Sequence, residues 1–128
     1  TTHMYLIVAE ANIRNAKYDD AMEALDKIRV NRIDPAKYQP LKGTVTTEED
    51  AIFRLKQTSH GENCYSLYNF NKKRWNQCGS KWEETLTKNM LGKTYTLAPD
   101  SPMWIFPFPK NATNNNPNLL PHNNGVEY

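Results

Sequence analysis

The chain has 128 residues, with 16 Lys and Arg against 14 Asp and Glu, a formal net charge of +2. That length suits one domain able to bury about two thirds of its unfolded surface, and the near balance of charge gives no electrostatic case for nucleic-acid binding. No stretch approaches the ~20 apolar residues a membrane helix needs, and the one cationic run, Lys72-Lys73-Arg74, reads as a solvated helix face.

Residues 3–15 read as a helix carrying Leu6, Ile7, Ala9 and Ala11 among Glu10, Asn12 and Arg14. The apolar spacing is mixed, so the helix is expected to be covered on more than one side. Asn15-Ala16-Lys17 is a turn. A second helix follows over 19–31, with Ala21, Leu25 and Ile28 in one stripe of a 3.6-residue period and Asp19 and Asp20 as capping carboxylates. So short a turn makes the two helices an antiparallel hairpin. Tyr5, Ala9, Tyr18, Ala21 and Leu25 resemble a tetratricopeptide unit, which does not bury both of its faces alone. Leu6, Ile7 and Val8 lie about 100° apart around the first helix, and Ile13 widens the arc, so an unfinished apolar face is expected. The chain enters helix almost at once after Thr1-Thr2-His3-Met4, which reads as a segment cut from a longer protein.

Residues 34–46 form a loop punctuated by Pro35, Pro40 and Gly43. Thr46 with Glu49, or Thr47 with Asp50, has capping-box spacing. Ile52 and Leu55 face inward in the helix that follows, with Phe53 a third candidate, and Ser59-His60-Gly61 ends or kinks it. A further helix is expected over 62–77, including Tyr65, Tyr68 and Trp75, with Gly79 as its stop. On such a helix Cys64 and Cys78 stand about 21 Å apart, beyond the ~7 Å a disulfide tolerates, so both are expected as thiols. After Trp82 the chain turns at Gly92, and Thr94 to Leu97 form a short extended segment. Pro107 and Pro109 exclude a helix running through them, so the C-terminal part is an irregular strap. Trp104, beside Ile105 and Phe106, is expected in the core. The Asn-rich run 114–118 is expected to make turns.

No nucleophile–base pair, phosphate loop or metal-ligand spacing stands out. No enzyme activity, cofactor or metal is expected. His3, His60 and His122 are isolated, and the acids sit at helix starts. Three Trp, seven Tyr and many Asn suit carbohydrate, because indole and phenol rings stack on sugar C–H faces while amides pair with hydroxyls. Trp75 and Trp104 read as core. Trp82, among Lys81, Glu83 and Glu84, and Tyr95, in a Thr-rich segment, are the two candidates for stacking on a sugar.

Trp104, Pro107 and Pro109, followed by Asn116-Pro117-Asn118-Leu119, resemble the C-terminal signature of the SusD/RagB family of glycan-capturing outer-membrane lipoproteins. Met4 to Ala11 is similar to the helix that opens that family's C-terminal region. Lys73-Arg74-Trp75 fits the end of the family's "D-x-K-R-W" helix, with Glu62 as its interior acid. The double Arg of that helix is absent, Arg54 standing nearby, and Asn69 or Asn71 replaces its Asp. The resemblance implies a mainly α fold: a tetratricopeptide-like hairpin over 1–33, a helical segment over 46–79, and loops with the strap over 80–128. It implies non-catalytic capture of oligosaccharides at the bacterial cell surface. The partner would be a SusC-like, TonB-dependent transporter of the outer membrane. Membrane attachment would come only through an N-terminal lipid absent from this chain. The competing expectation is a helical-repeat module that binds a protein or peptide and no glycan.

Overall fold

The computed structural model describes residues 1–63, 68–105 and 109–116 and is mainly helical, with one two-stranded sheet. It divides into two compact units, Thr1–Asn71 and Lys72–Tyr128.

In the first unit, helix α1 (Thr2–Arg14) turns into α2 (Tyr18–Arg29) through 15–17. Lys17 N–H donates to the Asn12 carbonyl and the Asn15 side chain to that of Ala11, which satisfies carbonyls left open at the end of α1. Ala16 takes φ +56 there. Helix α1 buries Leu6, Ala9 and Ile13, and α2 buries Ala21, Met22, Ala24, Leu25 and Ile28. Helix α3 (Glu48–Asn63) packs against both with Ala51, Ile52 and Leu55. Each of the three helices hides an alanine completely (Ala9, Ala21, Ala51), and small side chains there leave room for a close neighbour.

The loop between α2 and α3 hangs on carboxylates of α2. Asp26 accepts from the backbone N–H groups of Leu41 (2.8 Å) and Lys42 (3.1 Å) and pairs with Arg29 at 2.7 Å. Asp19 accepts from Gly43 N–H, and Glu23 pairs with the Lys42 ammonium. Arg29 also donates to the Gln39 carbonyl and lies over the Tyr38 ring. Leu41 and Val45 are thereby held in the core. Thr47 then caps α3, its hydroxyl accepting from Asp50 N–H at 3.2 Å, which selects the second of the two possible capping boxes.

Several sequence expectations change here. No side chain caps α2; Asp19 lies in its first turn, with its carboxylate bonded to the Gly43 amide of the loop. Helix α3 runs through Gly61 to Asn63, because glycine inside a helix carries a penalty of only ~1 kcal/mol and its backbone bonds continue. Phe53 is exposed. Glu62 belongs to the last turn of α3, where it forms a two-pronged pair with Arg32 at 2.7 and 3.1 Å. It therefore lies outside α4 (Tyr68–Trp75), the helix that holds Lys73-Arg74-Trp75. The unit boundary falls inside α4. Tyr65 and Cys64 lie outside the described residues.

In the second unit the basic run is not uniformly solvated. Lys72 is buried, three residues from Trp75 on one helix face, and its ammonium reaches Glu84 at 2.9 Å. Asn76 fixes the same stretch by accepting from Glu84 N–H. Cys78 is in no disulfide, and its thiol donates to the Arg74 carbonyl. Strands β1 (Leu86–Met90) and β2 (Lys93–Leu97) pair antiparallel in the register Leu86 with Leu97 through Met90 with Lys93. The two-residue turn has positive φ at both Leu91 (+52) and Gly92 (+74), as a type I′ hairpin requires. A 3-10 turn, Pro102–Trp104, follows; Ser101 caps it by accepting from Met103 N–H. The strap is not wholly irregular: a short helix α5, Lys110–Asn115, starts directly after Pro109. Proline is compatible with a helix start even though it blocks a helix interior, and the Asn115 side chain donates to the Asn111 carbonyl within this helix.

Two outcomes follow from the loop anchoring. Asp26→Ala leaves two backbone N–H groups and Arg29 without their charged acceptor and is expected to cost about 2 kcal/mol or more, read by urea unfolding. The Glu23 carboxyl is held below its usual pKa of 4.5, first by its hydrogen bond to Lys42 and then by the Lys42 charge. A depressed folded pKa contributes stability that is present above the unfolded value and lost as pH falls through the folded one. Glu23→Gln is therefore expected to flatten the acid limb of the stability curve below about pH 4.5, by an amount that shrinks in high salt.

Candidate functional site

The two sugar-stacking candidates meet different fates. Trp82 is 4% exposed. The 79–82 turn, closed by Trp82 N–H to the Gly79 carbonyl, swings its ring back to lie 6.3 Å from the buried Trp75 ring. Charged neighbours in sequence do not expose a side chain that the backbone turns inward, so Trp82 offers no open face for stacking. Trp104 reverses in the other direction. It was expected in the core but is only half-buried, its indole N–H donating to the Ala98 carbonyl at 2.8 Å. One local turn satisfies its polar edge. Its expected companion Phe106, with Pro107, Pro117, Asn118 and Leu119 of the C-terminal signature, lies outside the described residues.

Tyr95 is 53% exposed on β2, directly across from Lys88. Paired residues share a face and alternate residues change face. One face of the hairpin therefore carries Leu86, Lys88, Met90, Lys93, Tyr95 and Leu97. The other carries Thr87, Asn89, Thr94 and Thr96, with the Thr94 hydroxyl donating to the Asn89 amide oxygen at 2.7 Å. An open phenol ring lies on one face, and a row of hydroxyl and amide groups on the other. Each suits one half of a sugar's chemistry, and the two do not converge on one pocket.

A hollow of about 540 Å³ in the first unit was not foreseen. Its lining includes Lys17, Tyr18, Asp19, Asp20, Gly43 and Thr46. It exists because Asp19 draws the Gly43 amide toward the start of α2, a long-range contact with no signal in local sequence. Its carboxylates, hydroxyls and ammonium can hydrogen-bond a polar solute. Among the described residues no group of three or more His, Cys, Asp or Glu side chains could hold a metal ion.

The contrast between the tryptophans gives a direct check. Trp82→Ala is expected to destabilise by about 3 to 5 kcal/mol, as truncation of a buried aromatic does, whereas Trp104→Ala should fall well below that range. Thermal unfolding of the two variants side by side measures the difference.

Compared with known proteins, the chain matches no family model, no curated protein and no solved structure.

Proposed function

We propose that this chain serves in non-catalytic capture of oligosaccharides at the bacterial cell surface, for uptake through a SusC-like, TonB-dependent outer-membrane transporter. The observation that carries the reading is the resemblance of Trp104, Pro107, Pro109 and Asn116 to Leu119 to the SusD/RagB C-terminal signature. The tetratricopeptide-like character of α1 and α2 belongs to the same proposal, as does attachment by an N-terminal lipid. Tyr95 supports the reading as an open ring, on the hairpin face opposite the Thr and Asn row. Trp82 no longer does.

A second reading, a helical module that binds a protein or peptide, is favoured by α1. Met4, Ile7, Val8 and Ala11 recur at the i, i+3, i+4, i+7 spacing of one helix face, and all four are exposed. Ile7 and Val8 belong to the apolar arc expected from the sequence, whereas Leu6 and Ile13 of that arc are buried.

Calorimetric titration of a panel of neutral and acidic oligosaccharides into the 128-residue chain separates the two readings. Glycan capture is expected to give saturable heat with at least one class of sugar, weakened about tenfold or more in Tyr95→Ala by loss of the stacking ring. Absence of heat across the panel, together with concentration-dependent association that Ile7→Glu abolishes, would favour the helical module.

A further inference from the structure

The β1–β2 hairpin presents more apolar and cationic surface than a connecting turn needs. Leu91 at its tip is 96% exposed, and Met90 beside it is 52% exposed. Between 86 and 97 there are two lysines and no acidic residue. Lys88 and Lys93 share a face with Met90 and Tyr95, one lysine on each strand.

The backbone supplies a second, independent observation. Leu91 occupies the left-handed region at φ +52, in the first central position of a turn type that ordinarily takes Asn, Asp or Gly. An L-residue with an ordinary side chain is strained there, and Leu in addition exposes its whole isobutyl group to water. A sequence serving only to reverse the chain would avoid both penalties with Asn. Strain held at an exposed position points to a contact made by that side chain.

We infer that the hairpin docks on an anionic lipid surface, with Met90 and Leu91 entering the boundary between headgroups and acyl chains and Lys88 and Lys93 lying against the headgroup phosphates. At ~3.3 Å per strand residue, Lys88 stands about 10 Å back from Leu91, at the depth to which interfacial apolar groups enter a bilayer, while Lys93 is level with Met90 and reaches back along its flexible stem. Tyr95 stands level with Lys88 on the paired strand, an amphipathic ring suited to the headgroup layer. The charge arrangement selects a plane over a socket: the cations flank the tip on both strands, and Leu91 is open on every side. One apolar tip and two cations give weak, reversible adsorption, so the hairpin acts as an orienting contact. This inference is independent of the glycan reading.

Flotation of the full chain with phosphatidylcholine–phosphatidylglycerol vesicles, against phosphatidylcholine alone, tests it. Binding is expected only to the anionic vesicles and should fall as salt rises. Leu91→Asn places the favoured residue in the turn, so it keeps the hairpin while removing the apolar tip; it should bind about tenfold more weakly. Lys88→Gln and Lys93→Gln should each weaken binding about fivefold. Equal binding to both vesicle types, binding to neither, or full binding by Leu91→Asn would overturn the proposal; binding to neither would leave a protein partner with an acidic-rimmed apolar pocket as the occupant to seek.

Discussion

A single carboxylate, Asp26, organises the first unit. It sits part-buried on α2, is held by Arg29, and accepts two consecutive backbone amides from Leu41 and Lys42. Charged acceptors make stronger hydrogen bonds than neutral ones, and two donors on one anion fix both the position and the direction of the loop. Leu41 and Val45 enter the core as a result. The chain arrives at Thr47 in position to cap α3, and α3 closes over the α1–α2 hairpin. The loop has no regular structure of its own; side chains of α2 satisfy the amides of Leu41, Lys42 and Gly43 and the Gln39 carbonyl, and bonds within the loop hold other backbone groups.

The elements that rest on local signals were legible in the sequence. The α1–α2 hairpin follows from the short turn at 15–17 and the stripe Ala21, Leu25, Ile28. The start of α3 follows from Thr47 and Asp50. The elements that depend on competition between local preference and tertiary context were not. Gly61 carries a weak penalty that a packed helix absorbs, so α3 does not end at Gly61 but runs to Asn63. Strand β1 is written in Leu-Thr-Lys-Asn-Met, a sequence without the alternation that marks a half-buried strand, because both of its faces are largely open. Helix α5 begins just after Pro109, and half of its residues are Asn, a poor helix former.

Much the same holds for the candidate site. Tyr95 is open, as its polar, Thr-rich setting suggested. Trp82 is closed although its neighbours are Lys and Glu, since burial follows where the backbone turns and not the average polarity of a segment. Of the wide apolar arc read from the sequence, Leu6, Ile7, Val8 and Ile13, only Ile7 and Val8 are open; the exposed stripe runs through Met4 and Ala11, which that arc did not include. The hollow beside Asp19 depends on a contact across 24 residues of sequence, and nothing local announces it. The hairpin tip became conspicuous only once the φ of Leu91 and its exposure were known together.

Hanging a loop on side chains of a helix also divides the timescales of the molecule. The contacts between α1 and α2 are close in sequence, and local contacts form quickly during folding. The 41–43 segment can dock only after α2 exists to present Asp19, Glu23 and Asp26. In the folded protein it can leave again without unwinding that helix. Opening of this kind is sub-global and lies at lower free energy than loss of the core. The amides of Leu41, Lys42 and Gly43 thus belong to an exchange class of their own: slower than free loop amides, faster than those of α2, and set by the strength of three carboxylates instead of by helix stability.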